Sequence, residues 1–223
     1  MKLVLFDIDK TLIDSKTHDG QKFHHATKKV YGVEGKKVTT HGMTDQQILI
    51  EILENEGISK DIINSKFEEC KRVLLEYYKD NVKNYDYVVL EGVFDLLNQL
   101  NKDKILIGIV TGNIEEVARI KLKKVKLNKF FKIGGFGSDA IKRSELIKIA
   151  IKRAEKKFNF DFNDNVFVIG DSPKDIEAGK KAGVKTIGVA TSVYSESVLK
   201  KSKPDYVLPN LKNTKKIMNI IMR

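Results

Sequence analysis

The stretch Leu3-Val4-Leu5-Phe6-Asp7-Ile8-Asp9-Lys10-Thr11 decides how the rest of the chain is interpreted. Its run of apolar residues predicts a short strand buried in a parallel sheet. Asp7 and Asp9 are two positions apart, so in an extended backbone both carboxylates project to the same side. Close carboxylates repel unless a cation or a shared proton compensates them, and Mg²⁺ prefers such oxygen ligands. The stretch therefore predicts a strand that ends in a magnesium site, although an ordinary Asp-rich turn fits the same residues.

The bulk composition describes a chain that can bury its own hydrophobic core. With 223 residues it is long enough for one substantial domain, or for one domain that carries a smaller inserted one. The single cysteine, Cys70, excludes an intramolecular disulfide framework, fits a reducing cytoplasm, and is predicted to pack within an amphipathic helix. No apolar run is long enough for a signal sequence or a membrane span. We therefore expect a cytoplasmic protein, monomeric or homodimeric, with no membrane partner.

The charge of the chain is strongly basic, with 41 Lys and Arg residues against 30 Asp and Glu residues. Such an excess is common in proteins that bind nucleic acid. Here, however, the lysines are scattered as pairs along the predicted helices and alternate with acidic residues, with no Arg-rich or aromatic-interleaved patch. The pattern favours a solvated lysine-rich surface, so we expect no nucleic-acid partner. The positive field of this surface should still help to attract anionic substrates.

Residues 15–85 have the apolar spacing of helices and contain no convincing strand. Helices are predicted at 20–31, 46–56 and 61–80, because apolar residues recur there at the spacing of one helix face. Thr44 precedes the second helix and is a suitable N-terminal cap for it. We therefore expect a small all-helical domain over residues 15–85.

The rest of the chain, residues 1–14 and 86–223, alternates between strands and helices. The predicted elements are strands at 105–110, 166–169, 185–189 and 206–208, a helix that Asn113 caps and that runs to 125, a Gly-rich turn at 134–139, and a helix at 144–157. This alternation predicts a doubly wound, Rossmann-like α/β domain with a parallel sheet. Ligands bind such sheets beyond the carboxyl ends of the strands. The polar residues that follow predicted strands are Asp7, Asp9, Thr111 and Asp171.

The chain contains three motifs in the order and context of one known family: FDIDKT with Asp7, Asp9 and Thr11, VTGN with Thr111 and Asn113, and VIGDSPKDIEAG with Gly170, Asp171 and Asp175. On these motifs it resembles the haloacid dehalogenase superfamily of phosphohydrolases over essentially its whole length. It departs at Lys10, where the family most often has glycine. The helical insertion resembles the cap domain of phosphoglycolate phosphatases and β-phosphoglucomutases. The resemblance implies a Mg²⁺-dependent phosphatase that hydrolyses small phosphorylated metabolites, such as phosphoglycolate or sugar phosphates, through an aspartyl-phosphate.

The resemblance also implies a role for each carboxylate. Asp7 would be the nucleophile, and Asp9 would protonate the leaving alkoxide and then deprotonate the hydrolytic water. The Asp7 carboxylate, the Asp9 main-chain carbonyl and Asp171 would hold Mg²⁺. Asp175, one helical turn beyond Asp171, would face the same site and orient the metal or its waters.

A set of phosphate-binding groups is implied in the same way. Thr111 and the main-chain N–H groups of the neighbouring residues Gly112 and Asn113 would bind phosphoryl oxygens. A lysine or arginine before the helix that precedes the third motif would neutralise the phosphate. Lys142 and Arg143 are adjacent there, and spacing does not choose between them, since the proline that usually follows this residue is absent.

Substrate choice is assigned to the loop THGMTD, which ends at Asp45. The core motifs address the phosphoryl group that every phosphomonoester shares, so residues of the insertion must contact the rest of the substrate. His41 and Thr44 are the predicted specificity residues. An ordinary helix-capping loop fits the same sequence.

Several other functions fit parts of the pattern. A phosphomutase of the β-phosphoglucomutase type carries an acid–base histidine shortly after the first motif, but His18 lies slightly early and is followed by Asp19. A dehalogenase uses a lone aspartate and no metal, so the presence of Asp9 argues against it. A non-catalytic binding module would be expected to have a broken motif, and all the motifs are intact. A zinc site is not expected, because the histidines lack Cys or Glu residues at ligand spacing.

Overall fold

The core of the molecule is a parallel β-sheet with helices on both of its faces. The computed structural model describes residues 1–15, 17, 20–36, 38, 40–163 and 165–223. The strands are β1 (Leu3–Phe6), β2 (Ile13–Ser15), β3 (Tyr87–Val89), β4 (Leu106–Thr111), β5 (Ile133–Phe136), β6 (Val166–Gly170), β7 (Lys185–Val189) and β8 (Tyr206–Leu208). The helices are α1 (Gln21–Tyr31), α2 (Asp45–Asn55), α3 (Lys60–Asn81), α4 (Val93–Lys102), α5 (Glu115–Lys124), α6 (Arg143–Phe158), α7 (Pro173–Ala182), α8 (Glu196–Lys201) and α9 (Thr214–Met222). Within these described residues, no helix has both the length and the apolar character needed to cross a membrane.

The order of the strands confirms the doubly wound sheet predicted from the sequence. It is β5-β4-β1-β6-β7-β8, and each pairing is parallel. The chain places β4 and β5 on one side of β1 and the later strands on the other. Phe6 lies opposite Ile109 of β4 and Ile169 of β6, so β1 is a central strand. Because the strand order reverses around β1, ligands are expected to bind beyond its carboxyl end.

The apolar run of β1 is buried on both faces of the sheet, as predicted. Leu3 and Leu5 pack with residues of α6 and α7, whereas Val4 and Phe6 pack with residues of α4, α5 and α9. All four side chains are fully buried. Each contributes about 1.5–3 kcal/mol of hydrophobic free energy relative to an exposed side chain. This burial holds the end of β1, and the polar residues after it, in a fixed place.

A helical insertion made of α1, α2 and α3 stands between β2 and β3. These two short strands form an antiparallel ribbon in which Ile13 pairs with Val89 and Ser15 with Tyr87. The sequence pattern predicted the three helices but not the ribbon, because each of its strands is only 3 residues long. Cys70 is buried within the insertion, as expected, and burial raises the pKa of its thiol to about 12. The thiol therefore packs and is not reactive.

The Gly-rich segment 134–139 is not wholly a turn, as the sequence had suggested. Its first residues belong to the edge strand β5, in which Ile109 pairs with Gly134 and Val110 with Gly135. A Cβ atom on Gly135 would lie 1.9 Å from the carbonyl oxygen of Leu146 in α6. Glycine is required there because α6 packs against the strand at backbone distance, and not because the chain turns.

Candidate active site

Three buried carboxylates meet where β1 and β6 end. Asp7 directly follows β1, Asp171 directly follows β6, and Asp175 lies in the first turn of α7. One oxygen atom from each lies within 4.8 Å of the others. The main-chain N–H of Asp7 donates to the carbonyl oxygen of Ile169 at 3.0 Å, which extends the β1–β6 pairing into the site. The sheet register thus brings together residues that are far apart in sequence, as expected for adjacent parallel strands.

The start of α7 fixes the orientation of Asp175. Ser172 caps the helix, and its main-chain N–H and hydroxyl donate to Asp175 Oδ2 at 3.0 and 2.6 Å. A Cβ atom on Gly170 would lie 2.4 Å from Asp175 Cγ, so the glycine makes room for this carboxylate. Oδ1 of Asp175 is left to face the cluster, where it accepts a hydrogen bond from Arg143.

Among the described residues, Arg143 is the cation that forms ion pairs with this cluster. Its Nη2 donates to Asp7 Oδ1 at 2.9 Å and also to Asp175 Oδ1. Its side chain is buried, and among the described residues its Nε has no hydrogen-bond partner. Lys142 is instead exposed at the position before α6. Of the two cations that the sequence left open, the structure places Arg143, and not Lys142, at the carboxylates.

When its three carboxylates are ionised, the cluster holds more negative than positive charge. Burial raises the pKa of Asp7 well above its ordinary value, with Arg143 opposing and the neighbouring carboxylates Asp175, Asp171 and Asp9 adding to the shift. Burial, followed by the charge of Asp175, raises the pKa of Asp171 to about 7. A single guanidinium therefore does not compensate the ionised cluster. Hard carboxylate oxygens with uncompensated charge are a donor set that fits a divalent cation such as Mg²⁺.

Asp9 has contacts of its own, with Lys121 and Asn113. Lys121 Nζ lies 2.9 and 3.0 Å from the two carboxylate oxygens of Asp9. Asn113 Nδ2 donates to Asp9 Oδ2 at 2.6 Å and to Thr111 Oγ1 at 2.9 Å. The prediction that Asn113 caps the next helix is wrong, since Ile114 is the N-terminal cap residue of α5. The amide of Asn113 is used by Asp9 and Thr111 instead.

Lys121 was missed by the sequence analysis, although one signal could have found it. It lies on α5, whose buried face also carries Val117, Ala118 and Leu122. At its position the apolar pattern of the helix would call for a hydrophobic residue, and the side chain of Lys121 is only 3% exposed. A lysine in the apolar stripe of a helix must find a counter-charge. The neighbouring lysines of the same helix hid this signal in the sequence.

The predicted phosphate-binding loop lies at the end of β4. Thr111 is buried, and its Oγ1 accepts a hydrogen bond from the main-chain N–H of Asn113 at 3.3 Å. A Cβ atom on Gly112 would lie 2.1 Å from the carbonyl oxygen of Met43, so the insertion contacts this loop at backbone distance. Thr111, Gly112 and Asn113 all line the same cavity as Asp7.

The start of α2 joins the insertion to the core loops. The main-chain N–H of Asp45 donates to the Gly112 carbonyl oxygen at 2.7 Å, and Asp45 Oδ2 accepts from the main-chain N–H of Ile114 at 2.9 Å. Gln46 Nε2 donates to the Gly137 carbonyl oxygen at 2.5 Å. These bonds hold the insertion over the carboxyl ends of the strands.

The two predicted specificity residues have different surroundings. His41 lines the cavity, and its ring lies edge-on to that of Tyr194 at 6.1 Å. Thr44 is fully buried, accepts a hydrogen bond from the Gln47 main-chain N–H at 3.1 Å, and donates to the Ile141 carbonyl oxygen at 3.2 Å. It caps α2, as predicted, and is not among the residues that line the cavity. His18, considered as the acid–base residue of a mutase, lies outside the described residues.

The backbone conformation at Lys10 accounts for the glycine that the family most often has at this position. Lys10 has a φ of 63°, in the left-handed region that glycine adopts most readily. The Lys10 side chain forms an ion pair with Asp14. The lysine therefore tolerates a conformation that favours glycine, and its charge has a local partner.

A cavity of about 680 Å³ lies between the insertion and the sheet. From the core, its wall includes Asp7, Asp9, Asp171, Asp175, Lys121 and Arg143, and from the insertion it includes Lys22, His41, Met43, Asp45 and Ile48. Lys22 is buried, with its Nζ 3.4 Å from Asp45 Oδ1. The cavity is thus lined by carboxylates at the strand ends and by buried cations around those carboxylates.

The fold and the carboxylate cluster are those of an α/β enzyme whose site lies at the carboxyl ends of its strands. Residues 4–189 match the family of haloacid dehalogenase-like hydrolases, and the chain belongs to this family. It is therefore an enzyme, a hydrolase of that family.

Several proteins to which this chain is similar are named as phosphatases or pyrophosphatases. The chain is 29% identical to pyrophosphatase PpaX of Halalkalibacterium halodurans, over 99% of this chain and 98% of that protein. It resembles the crystal structure of a predicted phosphoglycolate phosphatase from Haemophilus somnus, with a TM-score of 0.70, 21% identity and 98% of each chain covered. It also resembles that of a predicted phosphatase from Clostridium acetobutylicum, with a TM-score of 0.72, 19% identity and 98% of each chain covered. The two structures support the fold.

Proposed function

We propose that the protein is a Mg²⁺-dependent phosphatase that hydrolyses small phosphomonoesters through an aspartyl-phosphate intermediate. The observation that carries the proposal is the buried cluster of Asp7, Asp171 and Asp175, with Arg143 against it, in the wall of the cavity between the insertion and the sheet. A phosphate dianion repels a carboxylate nucleophile, so a site for this reaction needs positive charge beside the attacking oxygen. Arg143 supplies one such charge, and the acidic cluster provides ligands for a metal that supplies more.

In the first step, a carboxylate oxygen of Asp7 attacks phosphorus and the bond from phosphorus to the ester oxygen breaks. Asp9 gives its proton to that oxygen, so the product leaves as an alcohol. In the second step, water attacks the phosphorus of the aspartyl-phosphate and loses a proton to Asp9. The bond from phosphorus to Asp7 then breaks, which releases inorganic phosphate and restores both carboxyl groups.

The residues around the phosphoryl group would bind its oxygens. Arg143 Nε has no partner among the described residues and is a donor left for a phosphoryl oxygen. Thr111, Gly112 and Asn113 line the same cavity, and the Thr111 hydroxyl and the N–H groups of Gly112 and Asn113 would complete the set. The Asn113 N–H, which donates to Thr111 Oγ1 at 3.3 Å, would turn to the phosphoryl oxygen. When bound, Mg²⁺ would supply positive charge through the carboxylates of Asp7 and Asp171 and the Asp9 main-chain carbonyl, with Asp175 orienting it.

The size of the cavity favours a small substrate. A volume of about 680 Å³ is in the usual range for sites of metabolite-sized ligands. A second candidate substrate is inorganic pyrophosphate, because the relative from H. halodurans, which matches over nearly its whole length, is named a pyrophosphatase. A mutase of the β-phosphoglucomutase type is distinguished by the product, since it returns the phosphate to the bound sugar instead of releasing it.

Phosphate release from a panel of substrates tests the proposal. The panel should contain pyrophosphate, phosphoglycolate, sugar phosphates and an aryl phosphate, each assayed with Mg²⁺ and with excess chelator. We expect release with Mg²⁺ and at least about a tenfold loss with chelator, reversed by added Mg²⁺. Ca²⁺ should inhibit, since its larger and looser coordination shell misplaces the nucleophile. Full activity in chelator would refute the metal requirement. No release of phosphate from any substrate would refute the proposed phosphatase activity.

The raised pKa of Asp171 predicts a pH dependence of metal binding that can be measured without activity. Its pKa of about 7, against 3.8 ordinarily, means that the metal-free fold binds this proton more tightly than the unfolded chain does. Stability of the metal-free protein should therefore fall as pH rises between these values. Mg²⁺ must displace the proton, so the rise in melting temperature that Mg²⁺ causes should be larger at pH 8 than at pH 6.

Two variants serve as controls for this pH dependence. Asp171→Asn should remove most of the Mg²⁺-induced rise at both pH values, because the amide is a poorer ligand. Asp80→Asn changes an exposed carboxylate on α3 and should behave as the wild type. An Mg²⁺-induced rise that is the same at both pH values would contradict the role of Asp171.

His41 and Thr44 should respond differently to truncation. His41→Ala should change the relative kcat/KM among natural phosphomonoesters by about tenfold, since His41 lines the cavity, and should affect an aryl phosphate much less. Thr44→Ala should instead lower stability by about 0.5–2 kcal/mol, because it removes a helix cap. Kinetics on three substrates together with thermal melting separate the two roles. A selectivity change in Thr44→Ala without a change in melting temperature would contradict this assignment.

A further inference from the structure

Lys121 is buried on α5, and hydrophobic packing alone does not explain why a lysine lies there. The same helix face buries Val117, Ala118 and Leu122 completely. An ammonium group in such surroundings is unfavourable unless it is paired. Its Nζ lies at nearly equal distances, 2.9 and 3.0 Å, from both carboxylate oxygens of Asp9. The pairing thus fixes the direction of the Asp9 carboxylate as well as its charge.

The ammonium group of Lys121 is itself placed by residues at the base of the insertion. It lies 5.7 Å from the ring centroid of Tyr87, which belongs to β3. The Tyr87 hydroxyl is hydrogen bonded to the Tyr78 hydroxyl of α3 at 2.8 Å. A cation over an aromatic face is held by the negative charge of that face. The contacts therefore run from the insertion through Lys121 to Asp9.

Asp9 differs from the other carboxylates in needing such support. Its side chain is 44% exposed toward the cavity, whereas those of Asp7 and Asp175 are nearly fully buried. An exposed carboxylate can rotate among several directions unless its oxygens are held. Lys121 holds both oxygens from one side, and Asn113 Nδ2 holds Oδ2 at 2.6 Å from another.

We propose that Lys121 is a positioning residue that holds the Asp9 carboxylate in the direction needed to reach the leaving oxygen. This inference rests on the proposed function, in which Asp9 transfers the proton to that oxygen. Lys121 acts through Asp9 and does not bind the phosphoryl group. Its removal should therefore matter most when the leaving group requires a proton.

The test compares two leaving groups in the variant Lys121→Met, which keeps the length and the apolar stem of the side chain. With a natural alkyl phosphate, the rate constant for release of the alcohol in a single turnover should fall about tenfold or more, and kcat with it, since a positioned general acid is worth about 10²–10⁴-fold. With p-nitrophenyl phosphate, whose leaving group departs without a proton, the single-turnover rate constant of this first step should change by less than about threefold, whereas kcat also contains the second step, in which Asp9 takes a proton from water. KM should change little for both substrates. Lys121→Arg should recover part of the lost kcat.

Two controls isolate the effect. Lys123→Met makes the same change at an exposed position of α5 and should leave both rates unchanged. In an Asp9→Asn background, adding Lys121→Met should change the remaining activity by less than about twofold, because the group on which it acts is already gone. If Lys121→Met does not fold, Lys121→Gln provides the same comparison with a polar side chain.

Several results would overturn the inference. A raised KM with unchanged kcat would make Lys121 a substrate-binding residue. Equal losses on both leaving groups in the single-turnover rate constant of the first step, or losses that add fully to those of Asp9→Asn, would show that it does not act through Asp9. An active wild type with Lys121→Met indistinguishable from Lys123→Met would refute this inference alone. A wild type that releases no phosphate from any substrate would refute the proposed function and this inference with it.

Discussion

Replacing Asp7 with Asn is expected to lower the turnover number by at least about 10³-fold, which corresponds to roughly 4 kcal/mol of activation free energy. The amide keeps the shape of the side chain but lacks the anionic oxygen that attacks phosphorus. The fold should survive, because burial and the neighbouring carboxylates already raise the pKa of Asp7 and so disfavour its ionised form. A neutral side chain relieves that repulsion, although the Arg143 guanidinium then donates to an amide oxygen in place of a carboxylate oxygen. In the metal-free protein the melting temperature should stay close to that of the wild type.

The loss should be visible in the covalent intermediate as well as in the rate. Acid quenching during turnover of a ³²P-labelled substrate should trap labelled wild-type protein and no labelled Asp7→Asn protein. Asp80→Asn, the same chemical change at an exposed position of α3, should match the wild type in both measurements. Near wild-type turnover by clean Asp7→Asn protein would remove Asp7 as the nucleophile.

The fold could be predicted from the sequence because its signals are local. The apolar run before Asp7, the run before Asp171 and the glycine and proline boundaries each specify a strand or a helix end within a few residues. Parallel pairing then forces the ends of neighbouring strands together. The segment at Gly134 and Gly135 was misassigned in part because glycine is ambiguous in a sequence. It permits a turn, but it also permits a helix to pack against a strand at backbone distance.

The site was harder to predict because its remaining contacts depend on side-chain direction. Lys142 and Arg143 are adjacent in sequence, yet one is exposed and the other is buried against Asp7. The difference arises from the start of α6, where the first helical residue turns toward the carboxylates. Asn113 has the sequence position of a helix cap, but the nearby carboxylate of Asp9 accepts from its amide instead. The spacing of residues in the sequence does not show which of these two roles Asn113 takes.

Replacing Arg143 with Ala is expected to lower kcat/KM by about 10²–10³-fold, because the phosphoryl charge in the transition state loses a preorganised donor. The variant should also lose stability. Removing one partner of a buried ion pair typically costs about 3–5 kcal/mol, since the remaining charges are left uncompensated. Here those charges are the carboxylates of Asp7 and Asp175, both of which accept from the same Nη2 atom.

Lys142→Ala is the matched control, since it truncates a neighbouring cation that is exposed. It should change kcat/KM and the free energy of unfolding by less than about 1 kcal/mol each. Arg143→Lys separates charge from geometry: one ammonium can restore charge but cannot present Nη2 and Nε in the plane of a guanidinium. We expect it to recover stability more fully than kcat/KM, and added Mg²⁺ should recover part of the stability of Arg143→Ala. If truncating Arg143 has no more effect on kcat/KM than truncating Lys142, the cation that neutralises the phosphate lies elsewhere in the cavity.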